Sequence, residues 1–229
     1  TANQYKVSFE SNSGTKYNHI TVTYDGKYTN LPAPTREGYD FEGWFTASEN
    51  GEQVTTETKV AITEDQTLWA YWTAKNYNVS FDLNTGTGTL PETISVTYGD
   101  SYTDLPENSA SKAGYTFAGW YTAAVGGTKI TSDTKVTTAQ DHTLYARWTA
   151  NKYTVTFNAN GGEAVNPITV TYDSSYGTLP VPIYAGYHLL NWIDENGAVV
   201  TVNTTVKITS DHELKAEWAA NETTPYTVR

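Results

Sequence analysis

The stretch GYTFAGWYT, Gly114 to Thr122, occurs three times in this chain. It reads GYDFEGWFT at Gly38 to Thr46 and, more loosely, GYHLLNWID at Gly186 to Asp194. Aligning on Trp44, Trp120 and Trp192 gives periods of 76 and 72 residues. A self-match at a near-constant period signals an array. These periods exceed those of helical or solenoid repeats, so each copy is long enough to be a small domain. The expected boundaries are 1–74, 75–150 and 151–220, with 221–229 as a linker and the start of a further unit.

Inside the stretch, Tyr39 and Phe41 alternate as a strand should, but Trp44 falls on the opposite parity. A β-bulge at Gly43 would turn Trp44 back to the core, and glycine suits a bulge. The third copy has Asn191 there, a residue tolerant of positive φ. Just upstream lie LPAPTREG from Leu31, LPENSASKAG from Leu105 and LPVPIYAG from Leu179. Their prolines argue against a ladder strand, so this is a crossing segment whose leucines plug one end of the core.

Further upstream are two runs of strict alternation: Tyr5, Val7, Phe9 and Ile20, Val22, Tyr24, repeated from Tyr77 and Ile94 and again from Tyr153 and Ile168. Period two with aromatic and β-branched residues predicts half-buried strands. Downstream, Asn50-Gly51, Gly126-Gly127 and Asn196-Gly197 mark a hairpin. Val54 and Val60 and their counterparts then lead to turn residues Asp65, Asp141 and Asp211. The last strand is LWAYW, LYARW or LKAEW, with Leu68, Ala70 and Trp72 inward and Trp69 and Tyr71 outward. No capped stretch of 3.6 periodicity appears, so the chain reads as mostly β with little or no helix.

Composition narrows the function classes. The 229 residues include seven Trp, eighteen Tyr and six Phe but no cysteine, so aromatic packing must stand in for disulfides. The net charge of −11 argues against nucleic acid and anionic membrane surfaces. No run of 18 apolar residues suggests membrane insertion. There is no initial Met and no leader-like segment, which reads as part of a longer protein; Tyr226-Thr227-Val228, after Pro225, repeats the opening of the third unit.

The ordered set Y-x-V-x-F, LP, G-Y-x-F-x-G-W and D-x-T-L-x-A-x-W resembles the Listeria–Bacteroides repeat, the B-repeat of internalins and other bacterial surface proteins. The resemblance covers nearly the whole chain; the third unit departs from it at Leu189, Asn191 and Glu213. It implies three tandem small β-grasp-like domains in an extended array, with the last strand of each parallel to the first. It implies a secreted or wall-anchored setting and supplies no catalytic residues.

No catalytic residue, metal site or cofactor is expected. His142 and His212 recur beside the turn Asp, where unit one has Gln66, but a solvated turn explains them better than a cation site. His19 and His188 do not recur, and the Asp/Asn groups at Asp82–Asn84 and Asp194–Asn196 lack calcium-loop spacing. No nucleophile–base motif or phosphate loop is present. Trp44, Trp72, Trp120, Trp148, Trp192 and Trp218 recur within the signature and are assigned to the structural core. Trp69 and Tyr71 are an aromatic pair that only unit one has, and form the candidate ligand-binding site. The leading reading is a non-enzymatic stalk or spacer of a bacterial surface protein with an adhesive role; its rival is a carbohydrate-binding appendage of a secreted polysaccharide-active enzyme. The expected partners are a host or microbial surface protein or a glycan, and the chain itself is expected to be a monomer.

Overall fold

The computed structural model describes residues 2–106 and 110–222, and every regular element among them is a β-strand. The first repeat contains β1 (Gln4–Glu10), β2 (Ile20–Thr23), β3 (Tyr39–Phe45), β4 (Gln53–Val54) and β5 (Gln66–Ala74). The second contains β6 (Asn76–Asp82), β7 (Thr87–Gly88), β8 (Ile94–Thr97), β9 (Ala110–Ser111), β10 (Tyr115–Tyr121), β11 (Lys129–Ile130) and β12 (His142–Ala150). The third contains β13 (Lys152–Asn158), β14 (Ile168–Thr171), β15 (Tyr187–Ile193), β16 (Val199–Val200) and β17 (His212–Ala220). The further opening read at Tyr226–Val228 lies outside the described residues.

Three five-stranded sheets share one pattern: β2-β1-β5-β3-β4, β11-β10-β12-β6-β8 and β14-β13-β17-β15-β16. In each, the first strand pairs in parallel with the last, as Val7 with Gln66, Val79 with His142 and Val155 with His212. This central parallel pair is the one the family resemblance implied. By its internal contacts the chain divides into two compact units. One comprises Thr1–Asp82, Pro91–Pro106 and Trp120–Tyr145; the other comprises Leu83–Leu90, Glu107–Gly119 and Ala146–Arg229.

One face of each sheet builds the core. In the first repeat Val7, Val22, Trp44, Val54, Leu68 and Ala70 are buried from the strands, while Tyr28 and Val60 close over them from the connecting segments. The third repeat repeats this with Val155, Val170, Trp192, Val200, Leu214 and Ala216 under Tyr176 and Val206. The crossing segment has a polar role as well as a packing one. Trp44, Trp120 and Trp192 donate their indole N–H to the carbonyls of Pro32, Pro106 and Pro180 at 2.7, 2.8 and 2.9 Å. A buried indole needs such an acceptor, and the Leu-Pro segment provides it.

Three expectations need correction. Tyr24 does not continue the inward face of β2: it follows the strand and is exposed, and its counterparts Tyr98 and Tyr172 pack on the preceding repeat. The crossing segment of the second repeat does hold a short ladder, β9 against β7, because Ala110 and Ser111 lie beyond the proline and keep their N–H groups. The bulges are real, with register shifts at Phe41/Gly43 and Leu189/Asn191. Positive φ occurs at Gly43 and Gly119 but not at Asn191, so the third bulge forms without it. Trp72, Trp148 and Trp218 are half-buried, and Trp72 and Trp218 pack against the core clusters of their repeats. They stand at the sheet end and donate to Ser11, Leu83 and Ala159 carbonyls at 2.9, 3.0 and 2.9 Å.

Candidate functional site

Trp69 and Tyr71 project from the outer face of β5, as alternation predicts, but both are half-buried. Trp69 lies opposite Phe45 of β3. Tyr71 stacks on Phe45 with ring centroids 3.9 Å apart and planes at 13°. Its hydroxyl donates to Ala47 O at 3.2 Å and accepts from Gly51 N–H at 3.3 Å. One face and the polar tip of Tyr71 are therefore spent on the β3–β4 hairpin. That is a holding role, and truncating Tyr71 should cost stability.

The turn residues form a second recurring constellation. Asp65, Asp141 and Asp211 accept the backbone N–H of Lys6, Asn78 and Thr154 at 2.7, 2.8 and 2.7 Å. Each carboxylate thereby extends the ladder between first and last strands by one acceptor. Beside them, Tyr28, Tyr102 and Tyr176 reach Gln66 Oε1, His142 Nε2 and His212 Nε2 at 2.7, 2.8 and 2.8 Å. The Nδ1 atoms of His142 and His212 face carbonyls of Gln140 and Ser210 at 3.0 Å. Those nitrogens must carry the proton, which leaves Nε2 to accept from the tyrosine. Burial pushes the hydroxyl pKa of all three tyrosines up. Both histidines are thus committed within the fold, and no cluster of three or more His, Cys, Asp or Glu suited to a metal is found among the described residues.

The strongest recurring geometry joins one repeat to the next. Within the first compact unit, Lys75 N–H donates to Gly38 O and Tyr98 N–H to Lys75 O, each at 2.9 Å. The Tyr98 ring lies so close over Gly38 that a Cβ there would sit 2.3 Å from it. Gly38 also holds φ at 77°, so glycine is required twice over. Tyr98 meets Tyr39 edge-on at 5.5 Å and 80°, and Arg36 covers the Tyr39 ring at 3.7 Å.

The second compact unit repeats the joint. Asn151 N–H donates to Gly114 O and Tyr172 N–H to Asn151 O, again at 2.9 Å. Tyr172 meets Tyr115 edge-on at 5.5 Å and 78°, with Lys112 over Tyr115 at 4.2 Å. A polar contact is added: Tyr115 O–H donates to Asp173 Oδ2 at 2.6 Å, and Lys207 pairs with Asp173. The hydrogen bond to Asp173 pushes the Tyr115 hydroxyl up to about 12, while the bonds from Lys207 and Tyr115 hold the Asp173 carboxyl below its ordinary value. Sequence reasoning read Tyr98 and Tyr172 as continuing the alternation of the second strand. The available signal was that Tyr28, Tyr102 and Tyr176, four residues on, already supply the buried tyrosine.

Three sheets of one pattern, with Tyr–Gly joints recurring at the linkers, define a tandem β-repeat protein. Residues 5–71, 77–147 and 153–217 each match the Listeria-Bacteroides repeat domain, and the chain belongs to that family. A protein of Evansella cellulosilytica that carries a membrane-protein name is 32% identical over 221 residues, covering 96% of this chain and 32% of its own. A second from the same organism, named as a Gly-rich membrane protein, is 31% identical over 198 residues, 84% of this chain and 22% of its own. Internalin H of Listeria monocytogenes is 38% identical over 156 residues, 61% of this chain and 27% of its own. The chain therefore spans about a third or less of the length of these relatives. Among the described residues no helix is long and apolar enough to cross a membrane, which leaves strand-built spans unaddressed.

Proposed function

We propose that this chain is a non-enzymatic segment of a bacterial cell-surface protein, serving extracellularly as a stalk or spacer, cell-wall attached or secreted. The observation that carries the reading is the recurrence of the joint, with the same two backbone hydrogen bonds and the same edge-on tyrosine pair at 5.5 Å in both places. A chain selected to hold successive domains in fixed order needs such joints; independent binding modules on loose tethers do not. Family membership and kinship to an internalin support the surface setting. Adhesion to a host or microbial surface protein or a glycan would be a second use of the same array.

Small-angle scattering tests the spacer. Three units of about 70 residues placed in line should reach a maximum dimension of about 85–110 Å by the compactness scaling. A value near about 60 Å, as expected of a compact globule of this chain length, would remove the reading.

A further inference from the structure

In the first repeat β1 ends at Glu10, opposite Trp69, while β5 runs on to Ala74. Past that point an open groove of about 260 Å³ lies against β5, lined by Asn12, Arg36, Ser48, Ala70, Tyr71 and Trp72. Its walls are held from behind. Phe45 covers one face of the Tyr71 ring and the hydroxyl is tied to the β3–β4 hairpin, so what remains of the ring fronts the groove. Trp72 is fixed by its indole N–H on Ser11 O. Asn12 donates its Nδ2–H to Ala70 O at 2.8 Å, which leaves its Oδ1 as an acceptor. Trp69, the other member of the expected aromatic pair, is not among the lining residues.

Arg36 is the one charged side chain in that lining, in a chain whose net charge is −11. The residue is half-buried, and its guanidinium lies over the Tyr39 ring at 3.7 Å. None of the guanidinium N–H groups has an acceptor or counter-ion among the described residues. A guanidinium carries five donors in a planar fork that matches a carboxylate bidentately. The other repeats lack the combination of fork and ring. The second has Lys112 and Arg147 in the places of Arg36 and Tyr71, two cations and no ring, and Lys112 donates to Thr85 Oγ1 at 2.9 Å. The third has Tyr184 and Glu217 there, a ring and an anion.

We infer that this groove binds a carboxylate-bearing sugar, a uronic acid residue of an acidic polysaccharide. Arg36 takes the carboxylate in its fork, and the C–H face of the sugar ring lies on the free parts of Tyr71 and Trp72. Ser48 O–H and Asn12 Oδ1 meet the ring hydroxyls. The unpaired guanidinium selects against a neutral sugar, and the aromatic wall selects a sugar over a bare anion. The groove has room for one sugar ring, and its open side leaves the rest of the polymer in solvent. One ion pair and one stacking surface in an open groove give an affinity on the order of millimolar that weakens as salt rises. The inference rests on the adhesive use proposed above, to which it gives a ligand class, and not on the spacer role.

Titration of the whole isotopically labelled chain with trigalacturonic acid, followed by NMR, tests this. The Arg36 Nε–H and Trp72 indole N–H signals should shift together along one binding curve. The methyl ester of the same trisaccharide keeps the rings and loses the charge. It should bind at least about tenfold more weakly, the loss expected for a charge-assisted hydrogen bond. Inorganic sulfate, a charge without a C–H face, should move the Arg36 signal and leave that of Trp72 in place. Arg36→Gln should abolish the Trp72 shift. Arg36→Lys keeps a cation over Tyr39, as Lys112 lies over Tyr115, and should bind more weakly than wild type but better than Arg36→Gln. Should Arg36→Gln disturb the fold, Ser48→Asp sets a carboxylate beside the groove from an exposed hairpin position and should abolish binding by repulsion. Signals that stay put with the trisaccharide well above millimolar, equal binding of acid and ester, a Trp72 shift in sulfate equal to that in the sugar, or variants that bind as wild type does would each overturn the proposal. Such a result removes this site and leaves the scattering test of the spacer standing.

Discussion

At Trp120 the indole is 3% exposed, its N–H is bonded to Pro106 O, and Phe81 tilts against it at 4.8 Å. Trp120→Ala leaves a cavity and an unpaired carbonyl and should cost about 3–5 kcal/mol, read from urea denaturation; an unchanged midpoint would remove the residue from the core. Tyr115 gives a pH signature at the same scale. Its hydroxyl titrates near 12 in the fold against an ordinary 10, so the stability it adds is complete below pH 10 and is lost as pH rises towards 12. Asp173, held below its ordinary value, contributes above that value and loses its contribution as pH falls through the lowered one. NMR of ring-labelled tyrosine should show Tyr115 titrating near 12, and Asp173→Asn should bring it back towards 10. A Tyr115 signal unmoved by that substitution would mean that the hydrogen bond does not exist in solution.

At the scale of the element, the bulge in β3 and β15 realigns the strand after Phe41 and Leu189 so that Trp44 and Trp192 face inward. Gly43 reaches φ 143°, whereas Asn191 makes the bulge without positive φ. Gly43→Val should therefore destabilise the first repeat by about 1–3 kcal/mol through backbone strain. Asn191→Val should lack that strain cost, and an equal loss at both sites in thermal denaturation would refute the distinction. The Asp acceptors act on the ladder. Asp141→Ala leaves the Asn78 N–H to water and should cost about 0.5–1.5 kcal/mol, with hydrogen exchange at Asn78 accelerated.

Across the whole molecule, energetics should follow nearest neighbours, as in repeat arrays. Tyr98→Ala removes the ring from Gly38 and the edge-on partner of Tyr39, and should uncouple the first repeat from the second without unfolding either. The aromatic pair is worth about 0.5–1.5 kcal/mol. Calorimetry should therefore show a broader transition with an unchanged total enthalpy. A sharp wild-type transition in the variant would show that the joint carries no coupling.

Periodicity alone determined a great deal. Alternation in Tyr5–Phe9 and Leu68–Trp72 locates strands and faces because a β side chain has only two directions to take, and three aligned copies make the pattern hard to mistake. The off-parity Trp44 disclosed a bulge for the same reason. Strand order, and what each outward residue touches, came only with the tertiary structure. Alternation by itself does not show that Tyr98 and Tyr172 leave their own repeats to cover Gly38 and Gly114. Tyr71 likewise reads as an exposed aromatic until Phe45, brought alongside by the β3–β5 pairing, stacks on it. Those contacts join residues that are remote in sequence, and their partners are chosen by how the sheets fold and follow one another, which local alternation does not encode.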